Sequence, residues 1–388
     1  MTSGAGRLRR RPEKPKVTGL ELLFDVVFVL ALAQLSTLLE EDTSWTGAVQ
    51  TLILLLPLSV VWAVTAEECD KYDPQQLPIQ LLVLGALLGT LVMAAAAPEA
   101  FGERGLYFAG AYLAIQLGAS GILVHLLRGG EMQRSEAREA FWFGVSAVPW
   151  IVGAIMHGWA RAVLWALALA VEYLAAVLRL PTPGLGRGRA TEFGYSGEHL
   201  ADRCRQFFTI ALGELILVTG LTLDQSGFRV ATFAAVLAAF ATTVLLWRVY
   251  FYSAGEQQSK ALAEASGPVH GRPVVFAHPI LVAAVIAISI SYKFVISHPL
   301  GRTPPAWVAL IVGGPALFLA GRGFLEYAVF RRVSWDRPIA ILVLVVISPA
   351  MILVPPVGAA SAAALVLAGV ALVDTARGPR RGQPAGAG

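Results

Sequence analysis

The chain has 388 residues, of which 56% are hydrophobic and only 14% charged, where a soluble domain carries about 25% charged residues. That shortage of polar surface excludes a water-soluble enzyme of two domains. Thirty basic residues against 26 acidic ones give a formal charge of +4, but the basic residues sit between apolar runs, so they report membrane topology and no nucleic-acid partner is expected.

Residues 1–17 carry Arg7, Arg9, Arg10, Arg11, Lys14 and Lys16. The apolar run that follows contains Glu21 and Asp25 and no small-residue cleavage site comes after it, so the segment reads as a retained basic tail. A bilayer-crossing helix needs roughly 20 predominantly apolar residues. Runs of that kind predict twelve helices, over 20–39, 47–66, 78–97, 106–127, 141–157, 160–179, 205–222, 229–252, 274–297, 305–328, 337–354 and 358–375. Pro149, Pro349, Pro355 and Pro356 are expected to bend or end helices. Gly85 and Gly89, spaced G-x-x-x-G, are expected to let the third helix pack closely. With the basic tail in the cytoplasm, 23 of the 30 Lys and Arg residues fall in cytoplasmic segments and four in outer ones. This bias places a multi-pass protein in the bacterial cytoplasmic membrane with both termini inside.

The two halves share a plan. Glu21-Leu-Leu-Phe24-Asp25 can be laid on Arg205-Gln-Phe-Phe208-Thr209, and Trp62 then meets Trp247. Further on, Arg128, Pro149 and Glu172 face Arg331, Pro349 and Asp374. The expected fold is thus an all-α polytopic membrane protein with about twelve transmembrane helices in two six-helix repeats of the same orientation. The first repeat is expected over 18–180, a cytoplasmic linker and motif segment over 181–204, the second repeat over 205–376 and a short tail over 377–388.

Ionisable residues inside apolar spans are costly and are candidates for function. Glu21 and Asp25 lie four apart and so on one face of the first helix. Glu198, His199, Asp202 and Arg203 form a charged approach to the seventh helix, which carries Arg205 and, near mid-membrane, Glu214. Trp247, Arg248 and Tyr250 close the eighth helix and His278 opens the ninth; Arg322 and Glu326 are four apart, and Glu172 lies deeper. Most of these project to the cytoplasmic half, which suggests a polar vestibule ending near Glu214. Glu21, Arg205, Arg248 and His278 are also close enough to helix ends to snorkel or to form structural ion pairs. Across the repeat axis the acid at Glu21 is matched by the base at Arg205, so the two first helices are expected to pair through them. Phe24, Phe28, Phe207 and Phe208 read as packing.

Catalytic signatures such as G-x-S-x-G, a Walker loop or H-E-x-x-H are missing, and Cys69 and Cys204 form no C-x-x-C. Neither a metal site nor a cofactor is expected.

Thr18-Gly-Leu-Glu21-Leu-Leu-Phe24-Asp25-Val-Val-Phe28-Val resembles the opening motif of the bacterial low temperature requirement protein A family. Glu198-His199-Leu-Ala-Asp202-Arg203, followed by Phe207-Phe208-Thr209-Ile and Leu212-Gly213-Glu214, is similar to its second motif, with Trp247-Arg248-Val-Tyr250-Phe251 and His278 in the expected order. The likeness covers about 17 to 375. Asp202-Arg203 stands where the family reads Glu-Arg, and Gln80 and Gln116 stand where it often has basic residues. The family's name records a cold-growth phenotype, so the resemblance implies an architecture more than a reaction. Phe24-Asp25 is also similar to part of the first-helix motif of potassium channels built from two six-helix repeats. The expected function is movement of an ion or small solute through a path between the repeats. An intramembrane enzyme acting on a lipid or isoprenoid, and a non-catalytic membrane factor for growth in the cold, stay open, as does a homo-oligomer. The candidate residues are Glu21, Asp25, His199, Asp202, Arg203, Glu214, Trp247, Arg248, Tyr250 and His278, and the lipid bilayer is the first expected partner.

Overall fold

The computed structural model describes residue 8 and residues 17–189, 197–252 and 271–377. The basic tail, residues 190–196 of the expected linker, the stretch 253–270 between the eighth and ninth helices and the C-terminal tail lie wholly or almost wholly outside the described residues. Within them the protein is helical, and twelve long helices follow one another. These are α1 (Gly19–Glu41), α2 (Trp45–Lys71), α3 (Leu77–Ala96), α4 (Gly105–Leu126), α5 (Glu131–Ile155) and α6 (Trp159–Val177). Then come α7 (Gly197–Ser226), α8 (Val230–Phe251), α9 (Gly271–Ser297), α10 (Pro305–Phe330), α11 (Asp336–Met351) and α12 (Pro356–Arg377). Ten of these among the described residues are long and apolar enough to cross a membrane. The two others are α5, whose first turns are charged, and α11, which has 16 residues. The chain is therefore a polytopic α-helical membrane protein.

Local chemistry explains the helix ends. Thr18 caps α1 in a reciprocal box: its hydroxyl accepts from the Glu21 backbone N–H, and its own N–H donates to Glu21 Oε2 at 2.9 Å. Two otherwise orphaned donors are satisfied at once. Ser44 caps α2 by accepting from the Thr46 N–H at 3.1 Å. Hydrogen bonds from Ser44 hold the Asp42 carboxyl in the α1–α2 turn below its usual carboxylate value. Pro356 opens α12 at a position where a missing N–H costs nothing. Pro149 and Pro349 lie inside α5 and α11, so neither ends its helix at once. Helices in a membrane tolerate such breaks when neighbours satisfy the freed carbonyls.

The chain divides into two compact units, Met1–Gln206 with Ala265–Arg272, and Phe207–Glu264 with Pro273–Gly388. In the first, α1 packs on α2 and α3, α3 on α4, α4 on α5, α5 on α6, and α6 back on α2. In the second, α8 packs on α12, and α10, α11 and α12 pack on one another. Large apolar side chains stay on the outside: Leu77, Leu81 and Leu88 of α3 are each about 60% exposed. Such a leucine stripe suits hydrocarbon and not water, so these faces contact the bilayer.

The G-x-x-x-G reading of α3 is half right. A Cβ on Gly89 would lie 2.5 Å from the Ile115 side chain of α4, whereas one on Gly85 would meet nothing within 4 Å. Gly89→Ala is therefore expected to lower stability by about 1–3 kcal/mol through overpacking, while Gly85→Ala is neutral or slightly stabilising. Thermal unfolding of the purified protein checks this, followed by the reaction of the buried Cys69 and Cys204 with a thiol dye.

Candidate functional site

The first unit brings together charged residues from α1, α2 and the start of α7. Glu21 and Asp25 are one turn apart on α1; His199 and Arg203 are one turn apart on α7. The two pairs face each other as rungs, each joining residues 178 apart in sequence. On one rung His199 Nε2 is 3.2 Å from Glu21 Oε1. On the other, Arg203 Nη1 donates to Asp25 Oδ2 at 2.6 Å and Nη2 to Oδ1 at 2.8 Å. A planar fork against a carboxylate is the strong form of an ion pair. Asp25 is 3% exposed, and Arg203 is fully buried.

Two further residues complete the arrangement. His199 Nδ1 lies 3.3 Å from Asp70 Oδ1 of α2, so the imidazole stands between two carboxylates. Such a ring donates to one of them in its neutral form and to both after taking up a second proton. The Arg203 guanidinium also lies 5.8 Å over the buried Trp62 ring, a cation–π contact. Glu21 has two tasks, since Oε2 caps α1 while Oε1 faces His199.

The family follows from these residues together with the rest of the chain. The family model described as "Bacterial low temperature requirement A protein (LtrA)" matches residues 16–372. The chain belongs to this family. It is also 32% identical over 340 residues to an uncharacterised protein of Rhizobium meliloti strain 1021, covering 87% of this chain and 83% of the relative. No solved structure matches.

Other candidates in this LtrA-family chain fall elsewhere. The Asp202 side chain is about 41% exposed and accepts from Arg205 at 2.7 Å on its own helix. The pairing expected between Glu21 and Arg205 is thus replaced: Glu21 meets His199, and Arg205 donates to Asp202 and to the Ala201 carbonyl. The repeat alignment sets 21 against 205, but the contacts run six residues, nearly two turns, earlier on α7.

In the second unit Glu214 is fully buried and accepts from the Ser289 hydroxyl at 3.1 Å. Tyr250 and His278 do meet, Oη to Nε2 at 2.8 Å. The Tyr250 ring stacks on Phe208 at 4.0 Å, and the Arg322 guanidinium sits 5.7 Å from it. Trp247 is 45% exposed, and Arg248 turns to Thr375 and the Tyr252 ring, so neither joins Tyr250. Phe24 and Phe28 are buried edge-to-face and serve packing, as expected.

Two charged knots had no counterpart in the sequence reading. Arg337 is ringed by Glu326, Asp336 and Asp374 at 3.1, 2.8 and 2.7 Å. Lys71, at the end of α2, lies 2.7 Å from Glu67, 3.5 Å from Glu139 and 3.7 Å from Glu136. Tyr72 beside it donates to Glu136 at 2.8 Å, and burial followed by that carboxylate pushes its hydroxyl well above the ordinary value. Among the described residues no three His, Cys, Asp or Glu side chains converge to hold a metal ion.

Proposed function

We propose that the protein moves an ion or small solute across the membrane, and that the ladder of Glu21–His199 and Asp25–Arg203 is its charged working element. The observation that carries this reading is the fully buried, bidentate Asp25–Arg203 pair between two spanning helices. Burying two charges is expensive, and an apolar pair of similar volume often holds helices together as well or better. A buried ion pair beside a histidine with two carboxylate partners suits a protein that exchanges partners during a cycle. His199 can trade Glu21 for Asp70, and Arg203, whose Nη1 also donates to Gln206 Oε1 at 3.1 Å, can release Asp25. The reading retains the two six-helix repeats expected from the sequence and the cytoplasmic placement of both termini.

The test is flux in vesicles containing the purified protein, with potassium, sodium and proton gradients imposed separately. Wild-type protein is expected to pass one of them. His199→Gln, which keeps one hydrogen bond and loses the ring that bridges the two carboxylates, is expected to slow it about tenfold or more, matching the loss of ~1.5 kcal/mol from a charge-assisted hydrogen bond. Absence of flux under every gradient, with the protein folded, would overturn ion transport.

A further inference from the structure

Within the first unit, α4, α5 and α6 enclose a second polar cluster around Glu172. This side chain is 6% exposed and sits on α6, five residues before its end. Both carboxyl oxygens are engaged. Oε1 accepts from the Ser146 hydroxyl at 2.6 Å and from Trp150 Nε1 at 2.9 Å, both on α5. Oε2 lies 2.5 Å from the Tyr112 hydroxyl of α4. The other titratable group beside it is Tyr173 on its own helix, whose hydroxyl donates to the Leu56 carbonyl of α2 at 3.4 Å. No cationic side chain among the described residues acts on it. In this Glu172 differs from Asp25, Glu21 and Glu326, which face Arg203, His199 and Arg337.

A second observation comes from Gln116, one turn after Tyr112 on the same face of α4. It is 1% exposed, and neither atom of its carboxamide makes a hydrogen bond of ordinary geometry, although it lies beside the Tyr112 hydroxyl. A buried amide in that condition calls for a reason. A hydrogen that can point two ways supplies one. Trp150 can only donate, so it stays on Oε1 whatever the charge of Glu172. Tyr112 can both donate and accept: Glu172 Oε2 lies on one side of its hydroxyl and the Gln116 carboxamide beside it, and rotation of that unbonded carboxamide can present its oxygen as a second acceptor.

We propose that Glu172 is a proton-binding site, with Tyr112 and Gln116 as the pair that accommodates the bound proton. When the carboxylate is ionised, the Tyr112 O–H donates to Oε2. When Glu172 takes a proton from the aqueous phase, an O–H bond forms at Oε2 and donates to the Tyr112 oxygen. The Tyr112 O–H then turns, unbroken, to the Gln116 oxygen. The neutral acid meets the low polarity of the bundle, where an unpaired carboxylate is costly, and the Tyr112 and Glu172 hydroxyl hydrogens each have an acceptor in the protonated state.

The proposal is independent of the transport reading, and its test needs no flux. Infrared difference spectra between acidic and alkaline buffer are recorded on the full-length protein in lipid vesicles. Wild-type protein is expected to show the C=O band of a buried carboxylic acid. That band is lost in Glu172→Gln and shifts in frequency in Gln116→Leu and Tyr112→Phe, which change only its hydrogen-bond partners. A folded Glu172→Gln protein that retains every carboxylic band of the wild type would overturn the proposal. Should Glu172→Gln fail to fold, the Gln116→Leu spectrum decides, and an unshifted band there overturns it.

Discussion

Asp25→Ala is expected to destabilise the protein by about 3–5 kcal/mol, because it leaves the fully buried Arg203 guanidinium facing a void in place of a carboxylate. The cost is chiefly that of an uncompensated buried charge, not of the lost contact. A second substitution separates the two. Asp25→Leu combined with Arg203→Met removes both charges and keeps apolar volume, and it is expected to return most of the lost stability. Thermal unfolding in detergent, read by dye reaction at Cys69 and Cys204, measures both variants. If the double variant were no more stable than Asp25→Ala, the destabilisation would not come from an unpaired charge.

The other large effect is expected at Arg161, in the first turn of α6. Arg161 is 2% exposed; among the described residues its guanidinium hydrogen-bonds to backbone carbonyls and lies 5.7 Å from the Trp165 ring centroid. Nε donates to Gly153 and Met156 at 3.1 and 2.9 Å, Nη2 to Ala154 at 3.1 Å, and Nη1 to Ala100 and Gly102 at 2.7 Å each. One side chain thus satisfies the orphaned carbonyls at the end of α5 and ties down the turn between α3 and α4. A cation there also suits the negative end of the α5 dipole. Gly105 is part of the arrangement, since a Cβ on it would lie 2.8 Å from the Arg161 Cζ. Arg161→Ala strands several buried acceptors and is expected to cost ~3–5 kcal/mol. Arg161→Lys keeps the charge but offers three donors without the planar fork, and is expected to recover only part of the loss. The same unfolding measurement ranks the three proteins, and equal midpoints for Arg161→Ala and wild type would contradict the capping role.

Much of this architecture is legible in the sequence. Uninterrupted apolar runs show as helices because a bilayer leaves the backbone no other way to satisfy itself, and all twelve predicted helices correspond to observed ones. Their charged ends were not legible. Glu67 to Lys71 reads as a loop by hydropathy, but it continues α2 for five residues past the predicted end, because the charges are satisfied by α5 and by His199. That extension brings Asp70 to the second nitrogen of His199, a contact no spacing in the sequence announces. The four-residue spacing of Glu21 and Asp25 did predict a shared face, and the same spacing in His199 and Arg203 was available as the matching signal. What hid the pairing was helix rotation, which apolar-all-round segments do not encode. Arg205 therefore looked as good a partner for Glu21 as His199. Arg161 was hidden for a different reason: the hydrogen bonds it makes run to main-chain carbonyls, which leave no trace in side-chain pattern.

Flux through the charge-free double variant addresses the central claim most directly. Vesicles carrying Asp25→Leu with Arg203→Met, matched to wild type in folded protein, are tested under the gradient that the wild type passes. The account predicts that this variant is folded and inactive, because the ion pair works in the cycle and is dispensable for holding α1 to α7. Flux equal to wild type in that variant would show the pair to be structural and would contradict the account.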